Sequence, residues 1–182
     1  SINYCSIFDR CIICNIHNCT DMVHLRDNTD ENVESNKETY KMTRKVFDIQ
    51  EVKEFINATS DSTKIYIGAD SERHRRGDDW YADYTVAIVI HYDGSRGCKV
   101  FGQVTSERDY DKRHDRPATR LMNEVYRASQ MFLDLEEVIG DRHVEVHLDI
   151  NPDILHGSSC VVQQAIGYVR GVCNVVPMVK PD

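Results

Sequence analysis

Three β-rich runs follow one another between residues 64 and 106 with only short polar segments between them, and nothing else in the chain limits its fold so sharply. Residues 64–70 (Lys-Ile-Tyr-Ile-Gly-Ala-Asp) are rich in β-branched and aromatic side chains. Residues 81–92 repeat that character and end at Asp93 and Gly94, a dipeptide that favours the positive-φ turn of a hairpin. Residues 98–106 make the return strand, and the charged, glycine-containing residues 72–80 form a loop or hairpin between the first two runs. Strands this close in sequence pair with their neighbours, so an antiparallel three-strand portion is expected.

The second half of the chain alternates differently. Pro117 suits the first turn of a helix, where its missing N–H has no partner to lose, and that helix is expected to reach about Glu137. Residues 143–149 alternate apolar and polar side chains as a half-buried strand does. Residues 158–170 read as a helix stopped by Gly171, and residues 172–179 as a last strand. Ahead of the three-strand portion, Asp48 is an N-cap with Glu51 completing a capping box, and Val52, Phe55 and Ile56 give helical spacing. The order β-β-β-α-β-α-β predicts an α/β domain with a mixed five-stranded sheet and flanking helices.

Residues 1–41 have a different texture. Cys5, Cys11, Cys14 and Cys19 crowd into the first twenty residues, and residues 27–41 are polar, acidic and aperiodic. This region reads as a poorly ordered arm and linker, with the folded domain over residues 42–182. The start at Ser1 reads as processing or a fragment, and Met42 as a domain start of its own. Cys11 and Cys14, with His17 and His24 nearby, are zinc-type ligands. A single C-x2-C pair favours free thiols instead. Cys98, Cys160 and Cys173 are scattered like small apolar residues in a reducing compartment. No apolar run approaches the roughly 18 residues of a membrane span and no secretory signal is evident, so a cytoplasmic location and no membrane partner are expected. The net charge is −8, whereas proteins that grip nucleic acid through phosphates tend to be basic. Binding nucleic acid here requires a local basic patch and bridging metal ions.

The helix from Pro117 carries an apolar stripe of Leu121, Val125, Ala128, Met131, Phe132 and Leu135. Glu124 falls inside it, between Met131 and Leu135. A carboxylate facing a sheet is costly unless it is paired, hydrogen-bonded or bound to a metal. Arg120 is the ordinary candidate partner. Asp70 ends the first β run and Asp149 ends the run from His143. Acids at the carboxyl ends of strands lie where α/β sheets bind ligands, although turn capping explains either Asp taken singly.

Taken in order, Ile67–Gly68–Ala69–Asp70–Ser71, Asn123–Glu124–Val125, His147–Leu148–Asp149–Ile150–Asn151 and Val179–Lys180–Pro181–Asp182 resemble the ribonuclease H superfamily. Within it they are similar to a branch of predicted ribonuclease-H-like nucleases of bacteria and phages. The resemblance implies that the first and fourth strands are adjacent, so that Asp70 meets Asp149 while Glu124 reaches in from the first helix after the hairpins. It also implies a fourth acid, matched by Asp182, at the start of a further helix that the sequence does not include. The implied activity is hydrolysis of phosphodiester bonds in RNA, an RNA–DNA hybrid or structured DNA. All-oxygen ligands favour Mg²⁺ or Mn²⁺. Two such ions about 4 Å apart activate a water and stabilise the leaving oxygen. Asp70 would bridge them, with Glu124 and Asp149 on one ion each and Asp182 on the second.

Two basic clusters are expected to hold phosphates: Arg73, Arg75 and Arg76 after the first strand, and Arg113, Arg116 and Arg120 around the helix start. The interleaved Asp78, Asp79, Asp109, Asp111 and Asp115 favour an ordinary solvated surface for any one of them. The competing expectation is a non-catalytic module that binds nucleic acid or protein on the same fold. The acidic balance and the missing final helix favour it. His156–Gly157–Ser158–Ser159 lacks the flanking glycines of a nucleophile elbow, and Ser158 is expected to cap the following helix.

Overall fold

The computed structural model describes residues 21–22, 47–94, 97–111, 117–153 and 157–180. Helix α1 (Ile49–Asn57) starts where the sequence indicates: Asp48 is extended at φ −125°, and its Oδ1 accepts the Gln50 N–H at 2.9 Å. The helix buries Val52 and Ile56, and the Phe55 ring meets Phe101 edge-on at 5.5 Å. Because the cap satisfies a backbone N–H that has no partner within the helix, Asp48→Ala is expected to lower stability by about 1 kcal/mol. The measurement is a lower urea midpoint at an unchanged denaturant slope.

Strand β2 (Lys64–Arg76) pairs along its whole length with β3 (Asp79–His91), across a turn in which Gly77 takes φ +60°. Residues 72–76, expected to lie in a loop or hairpin, thus belong to a hairpin arm that runs well past Asp70. Its outer half is held by cross-strand contacts. Arg73 stacks 4.2 Å over Trp80, and His74 stacks on Tyr81 at 6.2 Å. Strand β3 returns through a short 3-10 turn, Tyr92–Gly94, to antiparallel β4 (Cys98–Arg108). Asp93 takes φ 47° in that turn, where its carboxylate accepts the Ser60 hydroxyl at 2.5 Å.

Helix α2 (Ala118–Ile139) then crosses one face of the sheet. Pro117 sits at its N-cap and offers no side-chain hydrogen bond. Asp111 supplies the cap from upstream, with its carboxylate accepting the N–H groups of Thr119 (3.2 Å) and Arg120 (2.8 Å). Strand β5 (His143–Leu148) pairs parallel with β2, and β6 (Met178–Val179) pairs parallel with β5. A two-residue strand, β1 (Asp21–Met22), adds in parallel to the far edge at Lys99 and Val100. The sheet order is β1-β4-β3-β2-β5-β6. Apart from β1, this is the expected mixed five-stranded sheet with its antiparallel three-strand portion.

The last third departs from expectation in three places. Helix α3 (Val162–Cys173) runs through Gly171 and stops at Asn174, which takes the left-handed conformation at φ 55°. Asparagine tolerates that conformation through local hydrogen bonding, and the next turn of helix keeps Cys173 buried. The final strand shrinks accordingly to Met178–Val179. Ser158 lies in a 3-10 turn (Gly157–Val161) and accepts the Asn151 N–H at 3.0 Å, so it anchors the turn after β5 and does not cap α3. The core lies between the sheet and the helices. Ile65, Ile67 and Ala69 of β2 and Val146 and Leu148 of β5 pack under the apolar stripe of α2.

Candidate functional site

Parallel pairing of β2 with β5 ends at Ala69 opposite Leu148. The next residue on each strand is an aspartate, so Asp70 and Asp149 stand side by side where the two strands stop pairing. Asp70 is not at a strand end, because β2 continues along β3. It marks the point where β2 loses its parallel neighbour. The Asp70 Oδ1 accepts the Ser71 N–H at 2.8 Å. Asp149 lies just past β5, and its Oδ1 is ion-paired with Lys180 Nζ. Lys180 is itself fixed by its backbone N–H, which donates to the Ile150 carbonyl at 3.1 Å.

Glu124 comes in from above. It is 3% exposed, as its place in the apolar stripe requires. Alternation along β2 turns Ser71 to the same face as Ile65, Ile67 and Ala69, directly under α2. The Ser71 hydroxyl donates to Glu124 Oε1 at 2.5 Å. Arg120 Nη1 lies 3.6 Å from that oxygen and donates to the Ser71 carbonyl at 3.0 Å and to the Ser71 hydroxyl at 2.6 Å. Ser71 thus links Arg120 to Glu124, and the expected Glu124–Arg120 pairing is present with a hydroxyl between its members.

The electrostatics follow from the crowding. Burial pushes the Glu124 carboxyl up to about 8, and the negative charges of Asp70 and Asp149 act in the same direction against the Ser71 hydrogen bond and Arg120. Asp70 is also raised, by burial first and by Asp149 second, while the Ser71 N–H, Arg120 and Lys180 pull it back. Glu124 feels both aspartates and Asp70 feels Asp149, so the three lie in one region of negative charge. Such a cluster ionises fully only when cations compensate it.

The donor chemistry fits a hard divalent ion, since all three side chains are carboxylates. Lys180 and Arg120 already supply part of the positive charge the cluster requires. The present contacts do not close a metal cage. Among the described residues, no three His, Cys, Asp or Glu side chains are gathered closely enough to hold an ion. To take one up, Glu124 would exchange its Ser71 contact and Asp149 its Lys180 contact. Asp182 lies outside the described residues.

The basic residues divide. Arg113 and Arg116 lie outside the described residues, as do the Cys11–Cys14 pair and its neighbouring histidines. Arg120 points into the acid cluster. Arg73 holds the fold together. Its Nε pairs with Asp109 at 2.6 Å, and its Nη2 donates to the Asp111 carbonyl at 3.1 Å. It fastens the hairpin to the segment that caps α2. Arg75 and Arg76 are exposed on the outer half of the hairpin, where Arg75 donates to the Gly77 carbonyl at 2.9 Å and Arg76 to Ser106 at 3.2 Å.

Sequence reasoning passes over Ser71, Lys180 and the capping role of Asp111. Ser71 is recoverable, since the alternation that buries Ala69 also turns Ser71 inward. Lys180 carries no such signal, because its position depends on how the chain returns beside β5.

The sequence model of the family described as Ribonuclease H-like matches residues 48–182, which is most of the chain. The chain belongs to the ribonuclease H-like family. No curated protein and no solved structure gives a match. Family membership agrees with the sheet order, in which the first and fourth strands of the domain, β2 and β5, are neighbours. Among the described residues, no helix is long and apolar enough to cross a membrane.

Proposed function

We propose that this protein is a divalent-metal-dependent nuclease that hydrolyses phosphodiester bonds of RNA, an RNA–DNA hybrid or structured DNA. Asp70, Glu124 and Asp149 are its metal-binding acids in this reading, and Asp182 completes the set. The observation that supports it is that acids from three separate elements, β2, α2 and the end of β5, raise one another's carboxyls: Glu124 through both aspartates and Asp70 through Asp149. A fold alone does not specify a reaction, so these side chains carry the functional reading. Mg²⁺ or Mn²⁺, two ions in the full form of the mechanism, would supply charge stabilisation and an activated water when bound. Arg75 and Arg76 lie on the same hairpin as Asp70, exposed and able to meet phosphates.

The test is a cleavage assay with end-labelled RNA, hybrid and branched DNA in Mg²⁺ and in Mn²⁺. Asp149→Asn is expected to reduce cleavage to background, and chelation is expected to stop it. Cleavage that survives either change would overturn the proposal.

The second reading is a non-catalytic module that binds nucleic acid or protein. Arg120 and Lys180 favour it, since they compensate part of the acid cluster without a metal. It is distinguished by binding to the same labelled substrates with no cleavage in either ion.

A further inference from the structure

The Lys180–Asp149 contact has no counterpart among the expected site residues. Strand β6 pairs Val179 with Leu148, which sets Lys180 beside Asp149. Its backbone is held to Ile150, so the side chain leaves from a fixed point. Its ammonium rests on Asp149 Oδ1, an oxygen the proposed metal centre needs. Both side chains keep a partial opening to solvent, at 42% and 33% exposed, with Asp149 Oδ1 itself buried at the contact. On the other side of the cluster, Arg120 is packed against Ser71 and has no comparable freedom.

We infer that Lys180 is an exchangeable counter-ion for the acid cluster, which holds Asp149 in the metal-free protein and must leave it before a divalent cation is loaded. The inference rests on the proposed metal centre and gives a residue beside it a regulatory role. A tethered positive charge beside a cation site opposes that cation by direct Coulomb repulsion and by occupying a ligand oxygen. It also spares the metal-free protein an uncompensated group of acids. Once displaced, the ammonium remains on its fixed stem next to the site, where a phosphate group of a bound nucleic acid is its natural partner.

The experiment is direct Mn²⁺ binding to the full chain, read from the loss of the free-ion electron paramagnetic resonance signal, for the wild type, Lys180→Met, Lys180→Arg and Lys64→Met. Lys180→Met is expected to tighten Mn²⁺ binding by about fivefold or more. Lys180→Arg, which keeps the charge, is expected to stay near the wild type. Lys64→Met removes the same charge at the start of the parallel β2–β5 pairing, the far end of it from Asp70 and Asp149, and is expected to change binding by less than about twofold, screened by distance and salt. Equal affinity in the wild type and Lys180→Met, or weaker binding in Lys180→Met, overturns the inference and leaves the metal centre standing. Equal tightening by Lys64→Met also overturns it, because the effect is then one of net charge. No Mn²⁺ binding by any of the four overturns the inference and the metal centre together. A melting curve for each variant confirms that the binding was measured on folded protein.

Discussion

In saturating Mn²⁺ the wild-type chain is expected to melt well above its metal-free temperature, and Asp70→Asn is expected to abolish that rise. An ion that binds only the folded state stabilises it by about 2.7 kcal/mol at a hundred times its Kd, which is on the order of 10 °C for a domain of this size. Asp70 stands beside Asp149 on the neighbouring strand, and its charge is felt by Glu124, so it is the acid best placed to be shared between ions. Its carboxyl is already raised by burial and by Asp149. An uncharged Asn relieves that repulsion. Metal-free Asp70→Asn should therefore melt no lower than metal-free wild type while losing both the Mn²⁺ response and any cleavage. A variant that loses stability without metal and still responds to Mn²⁺ would assign Asp70 to the fold and not to the site.

The other large effect concerns pH, and it centres on Glu124. Its ordinary value of 4.5 is raised to about 8 in the folded chain, with burial as the first cause. The folded state therefore holds this proton more tightly than the unfolded state does. The associated stability is fully present below about 4.5 and is lost as pH rises through about 8. Glu124→Gln keeps the shape and removes the titration. In metal-free buffer it is expected to be more stable than wild type at pH 9, by up to a few kcal/mol, and close to it at about pH 5. Proton and metal compete for the same carboxylate, so wild-type Mn²⁺ affinity should rise over the same interval. Urea midpoints collected from about pH 5 to 9 provide the measurement. Parallel losses in wild type and Glu124→Gln would mean that Glu124 does not carry the pH dependence.

Glu124 shows how much of the site is legible in the sequence. Its position on a helical wheel is enough to place it against the sheet, because α2 is long and its apolar stripe is regular. Asp70 and Asp149 are visible as acids closing β-rich runs, but their adjacency is not. Alternation says which face a residue takes, not which strands are neighbours, and the β2–β5 pairing joins segments far apart in the chain. That step comes from resemblance to a family. The β2–β3 hairpin looks too short in the sequence because charged residues 72–76 resemble a loop. Stacking of Arg73 on Trp80 and of His74 on Tyr81 supplies the cross-strand contacts that their charge obscures. Arg73 looks like a phosphate ligand for the same reason, since a buried ion pair with Asp109 is invisible until the hairpin and the segment before α2 are placed together. Gly171 fails as a helix stop because glycine permits a left-handed turn without enforcing one, and burial of Cys173 favours another turn of helix.

The proposed chemistry depends on the acids of β2, of α2 and just past β5 sharing a cation. Diffraction from Mn²⁺-soaked crystals, recorded near the manganese absorption edge, locates that cation directly. The expected result is an anomalous peak within coordination distance of both Asp70 and Asp149, with Glu124 turned from Ser71 toward it. A well-soaked crystal with no peak between those two aspartates, and with Glu124 still on Ser71, would contradict a shared cation.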